Sequence, residues 1–333
     1  MKASAIANAN IALVKYWGKR DKERILPQNS SISMTTDGLF AHTTVEFAEE
    51  YERDIFVLNG EELSLDSKGY LEYVGHFLKI VREIKDNGLR AKIVSKNNFP
   101  TAAGLASSAG GFAALAVAIN KALDLGLGDK ELSMLARRGS GSATRSIMGG
   151  FVKWNRGEKD DGTDSFGEQL ADESYWPEFR MVFCITSKQE KKIKSRAGMG
   201  QTLETCPLYS GWLASIDEDL KEVRDGIINR DFTKVGRIAE YNALKMHATM
   251  ISTKPSIIYW NAHTINLIQA VMDWRDEGLE AYFTMDAGPQ VKIICLEKDV
   301  GEVVRRAKEI GGVEEIIVSK PGGPAHTTGQ HLF

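Results

Sequence analysis

Residues 91–119, AKIVSKNNFPTAAGLASSAGGFAALAVAI, pass from a β-branched run through a loop of small residues into an amphipathic helix. The loop proper, Pro100 to Gly111, contains Ala103, Gly104, Leu105, Ser107 and Ser108. From Ser107 onward, Phe112, Leu115, Ala116 and Ile119 recur on one helical face. Small residues let the backbone approach an anion closely, and a helix N-terminus aims unpaired N–H groups at it. Ser107 and Ser108 add hydroxyls suited to phosphate oxygens or to a phosphate-bound Mg²⁺. The string is neither GxxxxGK[ST] nor GxGxxG. Its plainer reading is a helix start built for tight packing.

A second loop of this kind, GSGSATRS at 139–146, follows another helical pattern. Ser140, Gly141 and Ser142 supply a small-residue bend with hydroxyls, and Arg145 supplies a planar fork suited to carboxylate or phosphate. Two anion-type loops in one half of the chain weaken packing as the whole explanation.

Outward from these loops the chain alternates strands and helices. Strands are expected at 5–14, 42–47, 54–58, 91–95 and 151–154. Helices are expected over 70–84, where Tyr70, Val74, Phe77, Leu78, Val81 and Ile84 share a face, from 107, and over 129–138. The polar, acidic segment 156–177 reads as an exposed excursion, with a domain boundary just after it. The second half opens with a strand at 180–187 and a basic stretch. Helices follow at 208–228, 232–251 and 256–277, the first supported by Trp212, Ile216, Leu220 and Val223. Strands at 281–285 and 291–297 flank the turn DAGPQ; a helix at 300–310 and a strand at 314–318 close the pattern. The expected fold class is α+β in two domains, 1–178 and 179–333.

The 333 residues, 43% apolar and 26% charged with 8 prolines, exclude a disordered chain and suit two domains. A net charge of −3 argues against a general nucleic-acid binder. No apolar run reaches the length of a membrane span, so no membrane partner is expected, and the N-terminal stretch lacks a signal-peptide cleavage pattern. Cys184, Cys206 and Cys295 have no metal-ligand spacing and read as reduced residues of a cytoplasmic protein.

Two charged residues stand out. Lys15 ends an apolar strand, NIALVK, where an inward ammonium needs a carboxylate partner from the protein or a substrate; a solvent-facing lysine is the plain alternative. Asp286 ends the strand YFTM and begins AGP, where an aspartate forms turns or projects into a cleft to take a proton from a substrate hydroxyl. Lys191 and Lys192, in a basic run, read as a solvated face. The six histidines share no spacing and read as structural or surface residues.

In order along the chain, NIALVKYWGKRD, LPQNSSISMT, NNFPTAAGLASSAGGFAAL, ARRGSGSATRSIMGG and MDAGP resemble the mevalonate diphosphate decarboxylases of the GHMP kinase superfamily. The resemblance runs from about residue 5 to 324. It implies a two-domain GHMP-kinase-like fold with substrate in the cleft between the domains. It also implies ATP- and Mg²⁺-dependent conversion of mevalonate 5-diphosphate to isopentenyl diphosphate, ADP, phosphate and CO₂, commonly by a homodimer. By this resemblance Asp286 faces the substrate 3-hydroxyl with Lys15 beside it. Ser140 and Arg145 hold the substrate carboxylate within the loop that includes Gly141 and Ser142, and Asn10 orients the arginine. Tyr16, Lys19 and Arg196 grip the terminal phosphates. Pro100, Ala103, Gly104, Leu105, Ser107 and Ser108 hold the ATP phosphates, the two serines also serving Mg²⁺.

Departures from the family pattern are visible. MDAGPN is MDAGPQ here, SACRS is SATRS, and PGGPAH replaces a longer glycine run. Near 63–73 Lys68 is present without the arginine that many members use on the diphosphate. Two further readings therefore stay open, a phosphomevalonate decarboxylase making isopentenyl phosphate and a mevalonate-type small-molecule kinase. A nucleotide-binding regulatory protein without turnover is the reading from outside enzyme classes.

Overall fold

The computed structural model describes residues 1–64, 67, 70–86, 88–99 and 107–333. The chain begins with β1 (Lys2–Val14), β2 (Lys19–Asp21), β3 (Leu26–Pro27), β4 (Ser31–Ala48), β5 (Ile55–Leu58) and β6 (Glu61–Glu62). A turn of π-helix, Tyr70–Gly75, runs into α1 (His76–Ile84). Then come β7 (Arg90–Asn97), α2 (Ser107–Leu123), α3 (Asp129–Gly139), a 3-10 turn (Gly141–Arg145), β8 (Phe151–Trp154) and β9 (Gly167–Ala171). The second half holds β10 (Phe179–Ile185), α4 (Ser195–Thr205), α5 (Tyr209–Ala214), α6 (Ile216–Asn229), α7 (Phe232–Ile251), α8 (Ala262–Asp276), β11 (Tyr282–Thr284), β12 (Val291–Leu296), α9 (Val300–Glu309), β13 (Glu315–Ser319) and β14 (His326–Thr328).

Among the described residues the larger sheet runs β14-β1-β4-β7-β5-β6, with β8 on β4 and β9 on β8. Its pairings are antiparallel except β5 with β7. Helix α2 lies against this sheet because its inward face is small: Ala109, Gly110, Ala113 and Ala116 are buried. A Cβ on Gly110 would sit 2.9 Å from the Ala7 carbonyl, so glycine there sets how closely the helix approaches β1. The β1–β4 register is irregular between Asn8 and Asn10 and between Ala12 and Val14, next to two residues of the site.

The second sheet has the order β11-β12-β10-β13 and is antiparallel throughout. Period-2 alternation divides β10 between two cores. Val182 and Cys184 face α8 and α9 residues such as Leu267, Val271 and Val303. Met181, Phe183 and Ile185 face the other way, into a cluster that also holds Ile11 and Leu13 from β1, Trp17 just beyond it, and Val223 and Val235 from α6 and α7. One apolar layer thus joins the two halves of the chain. Phe183 is 0% exposed within it. Phe183→Ala should cost about 3–5 kcal/mol, read as a lowered midpoint in chemical denaturation.

Several expectations change. The segment 156–177 is not wholly an exposed excursion: β9 pairs with β8, and Arg137 donates to the Gly162 and Ser165 carbonyls. Polar side chains pin it, so its composition hides the order. The helix expected over 208–228 divides at Ser215, whose hydroxyl bonds the Trp212 carbonyl. The one expected from 256 starts at Ala262, where Asn261 and Thr264 form a capping box. Helix α4 occupies part of the basic stretch. The final strand β14 returns to the first sheet, pairing Ser4, Ala5 and Ile6 with Thr328, Thr327 and His326. Among the described residues no helix is long and apolar enough to cross a membrane.

Candidate active site

The end of β1, the start of α2, the 3-10 turn after α3, α4 and the turn after β11 converge on one cavity of about 830 Å³. It is lined by Asn10, Lys15, Tyr16, Lys19, Ser107, Ser108, Ser140, Gly141, Ser142, Arg145, Arg196 and Asp286. These are all the sequence-derived site residues that are described. Lys68, Pro100, Ala103, Gly104 and Leu105 lie outside the described residues.

At the floor, Lys15 is 1% exposed. Its Nζ donates at 2.7 Å to the Ala12 carbonyl and at 2.9 Å to Asp286 Oδ1. The partner required for a lysine ending an apolar strand is therefore a protein carboxylate. Asp286 turns Oδ2 away from solvent, 3.5 Å from the Nζ of Lys292, which is 0% exposed on β12. Burial alone would raise the Asp286 carboxyl, but Lys15, Lys292 and Arg145 together hold it well below the usual carboxylate range. Burial pulls Lys15 down to about 8 while Asp286 works to keep it charged. At neutral pH the pair is an ammonium and a carboxylate, with the carboxylate still 26% exposed towards the cavity.

Arg145 is 2% exposed. Its Nη1 donates to Ser31 Oγ at 2.5 Å and its Nε to Asn10 Oδ1 at 3.3 Å. Asn10 in turn donates to the Ser142 carbonyl at 2.9 Å and Ser146 Oγ at 2.8 Å. Because Nδ2 serves these acceptors, Oδ1 is left for the arginine, which orients it. Ser140 Oγ lies 3.2 Å from the hydroxyls of both Ser108 and Ser142, so the start of α2 and the 3-10 turn meet. Gly141 is required by close approach: a Cβ would sit 2.8 Å from Trp154 and 2.9 Å from Tyr16. Thr144, where the family pattern has cysteine, bonds its hydroxyl to the Gly141 carbonyl at 2.7 Å and closes the turn.

At the mouth, Arg196 stacks 4.0 Å from the Tyr73 ring centre and donates to the Gly139 carbonyl at 3.2 Å. The Tyr16 ring packs on Trp154, and its buried hydroxyl has no hydrogen-bond partner among the described residues. A buried hydroxyl so placed calls for a polar ligand in the cavity. Burial pushes its ionisation well above the ordinary tyrosine value, so it acts as a neutral donor. Ser107 and Ser108 open the 17-residue helix α2, and both line the cavity. The donor set fits a nucleoside triphosphate with Mg²⁺: the Ser107 and Ser108 hydroxyls and the α2 N-terminus face one cavity, and phosphates bring oxygen ligands for the metal.

Three residues were missed. Lys292 lies in the apolar run VKIICL, the same kind of signal that marks Lys15. Lys191, expected on a solvated face, instead donates at 2.6 Å to both the Ala287 carbonyl and Ser195 Oγ. Burial pulls it down to about 8 against the pull of Asp286. Lys192, by contrast, is exposed. His247, 1% exposed and stacked on Trp260, has Nε2 3.2 Å from the Asp286 carbonyl oxygen. Burial pulls it down to about 3, so it is neutral and donates. Gln290, the departure in MDAGPQ, accepts the Thr186 N–H at 2.6 Å and ties the turn to the end of β10.

Lys292→Met should free Asp286 from a cation behind it. The acid limb of kcat/KM should then move up by about one pH unit or more, with substrate KM held. An unmoved limb would show that Lys292 does not act on the carboxylate.

Helix α2 against the larger sheet, the joined second sheet and a carboxylate between the halves match the GHMP-kinase-like fold class. Residues 7–167 match a profile described as diphosphomevalonate decarboxylase-like N-terminal domain, and residues 181–324 one described as mevalonate 5-diphosphate decarboxylase C-terminal domain. The chain belongs to the diphosphomevalonate decarboxylase family. It is 37% identical to the diphosphomevalonate decarboxylase of Saccharomyces cerevisiae over 99% of this chain and 85% of that protein. It matches the mevalonate diphosphate decarboxylase of Enterococcus faecalis at TM-score 0.90 and 41% identity, covering 98% of this chain and 99% of the other. A structure of MDDEF in complex with MVAPP, AMPPCP and magnesium matches at TM-score 0.91 and 42% identity, over 98% of this chain and 99% of that one.

Proposed function

We propose that this chain converts mevalonate 5-diphosphate and ATP to isopentenyl diphosphate, ADP, phosphate and CO₂, with Asp286 and Lys15 at the reacting centre. The observation that carries the assignment of residues is the 2.9 Å Lys15–Asp286 pair, set with Arg145 in one cavity reached by the start of α2.

A tertiary alcohol is too weak an acid to ionise at neutral pH. Asp286 therefore accepts its proton only as the hydroxyl oxygen forms its bond to phosphorus. Lys15 offsets negative charge gathering at the same point from a dry, fixed position. Ser107, Ser108 and the α2 N-terminus hold the nucleotide phosphates, and Mg²⁺ neutralises phosphate charge when bound. The 3-phosphate then leaves with its bonding electrons, and the electrons of the C–carboxylate bond become the new double bond as CO₂ departs. Arg145 aligns that carboxylate. Its orientation by Asn10 and Ser31 matters more than tightness, because a carboxylate bound too firmly would resist leaving as CO₂.

Tyr16, Lys19 and Arg196 grip the 5-diphosphate in this reading. Arg196→Ala should raise KM for it about 10- to 100-fold with little change in kcat; an unchanged KM would make Arg196 a surface residue. The test of substrate class supplies ATP and Mg²⁺ with mevalonate, its 5-phosphate and its 5-diphosphate in turn. Turnover should be confined to the diphosphate. We place the domain division at 178/179, ahead of β10, and the enzyme in the cytoplasm as a homodimer. The unpaired Cys184, Cys206 and Cys295 suit a reducing compartment. Light scattering on the purified protein, reading one chain or two, tests the dimer.

A further inference from the structure

Lys15 is the first residue beyond β1, and both of its backbone polar groups are taken by asparagine side chains. Its N–H donates to Asn242 Oδ1 at 2.8 Å, and its carbonyl accepts from Asn29 Nδ2 at 2.7 Å. Asn242 comes from α7, in the other half of the chain, and is 0% exposed. Its amide can face only one way. Nδ2 donates at 2.6 Å to Asp219 Oδ2, a carboxylate that only accepts, which leaves Oδ1 for Lys15. Asp219, on α6, is itself buried and pairs with Lys245 at 2.6 Å. A line of buried polar contacts thus runs from Lys245 through Asp219 and Asn242 to the backbone from which the active-site ammonium projects.

The lysine needs this support. Four rotatable bonds lie between its backbone and Nζ, yet Nζ meets two acceptors, the Ala12 carbonyl and Asp286, at 2.7 and 2.9 Å. Beside it the β1–β4 ladder is irregular, so the strand alone does not fix the position. An error of about 1 Å at a reacting centre costs about 100-fold in rate. We infer that Asn242, its amide set by Asp219, is a positioning residue that holds the Lys15 backbone so that the ammonium meets Asp286. This rests on the reading that Lys15 and Asp286 carry turnover.

The test exchanges the two polar groups. In N242D two carboxylates abut at the centre of the line; in D219N the bond to Asn242 loses its charge, and the new amide can donate as well as accept, so nothing fixes which end of Asn242 faces Lys15. In the double variant N242D/D219N the new amide at 219 donates to the new carboxylate at 242, which still accepts the Lys15 N–H and offers Lys245 a partner. Each single variant should lower kcat about 10- to 100-fold, with KM for ATP and substrate within about threefold, and the double should recover most of the loss. The acid limb of kcat/KM should rise in the singles, because Asp286 loses its nearest cation, and return in the double. Lys292, Lys191, Arg145 and His247, which also face that carboxylate, are unchanged throughout. Should N242D fail to fold, N242L fills the same buried space, removes the acceptor and carries the same expectation for kcat and the acid limb. Singles that keep kcat per folded molecule within about twofold, or a double no better than the worse single, would overturn the inference. Wild-type ADP and CO₂ release in the same assay tests the underlying reading separately.

Discussion

Asp286→Asn should leave ATP and mevalonate 5-diphosphate bound and lower turnover about 10²- to 10⁴-fold. The amide keeps the shape of the side chain and an oxygen for Lys15, 2.9 Å away, but it has no basic site for the 3-hydroxyl proton. It also leaves the buried ammonium groups of Lys15 and Lys292 without their shared anion. Both effects fall on kcat, because the groups that grip phosphates and carboxylate stand elsewhere in the cavity. Equilibrium binding by calorimetry and single-turnover ADP release separate the two. ADP release from this variant near the wild-type rate would take Asp286 out of the mechanism.

Lys15→Met should lower kcat about 10²- to 10³-fold, the scale seen when one preorganised charge or donor is lost from a reacting centre. The pH profile is the sharper reading. In the wild type Lys15 gives up its proton as pH rises through about 8, so an ammonium-dependent rate falls across that range. Lys191 titrates in the same range, and Lys191→Met distinguishes the two. On the acid side, Asp286 in Lys15→Met loses its nearest cation. Its carboxyl rises and protonates at higher pH, so activity is lost earlier on acidification. A variant with unchanged limbs on both sides would show that Lys15 neither supplies charge nor tunes Asp286.

How much of this was legible varies with the kind of force involved. The alternation of Met181, Phe183 and Ile185 against Val182 and Cys184 marks a strand buried on both faces, and the apolar spacing from Phe232 to Ile251 marks α7 to its ends. Strand β14, three residues of His-Thr-Thr, has no such signature; it exists because β1 offers an edge, a fact of tertiary structure. The same holds for β9. In the site, Lys15 was visible because a lysine ending an apolar strand requires a partner. Lys292 carried that signal too, but which carboxylate it meets depends on β11 and β12 pairing across the DAGPQ turn. Lys191 looked solvated because it sits in a run of charges; α4 begins four residues later and brings it over Ala287. His247 and Asn242 are ordinary helix residues in sequence. Their places beneath Asp286 and Lys15 follow only when α7 packs across the end of β1.

The central claim is that one cavity both phosphorylates the 3-hydroxyl and expels the carboxylate. The measurement that meets it most directly follows ADP and CO₂ together from purified enzyme with ATP, Mg²⁺ and mevalonate 5-diphosphate. Equal amounts of the two throughout the time course are predicted. ADP without CO₂ would contradict it, and would make the Lys15–Asp286–Arg145 arrangement the site of a kinase.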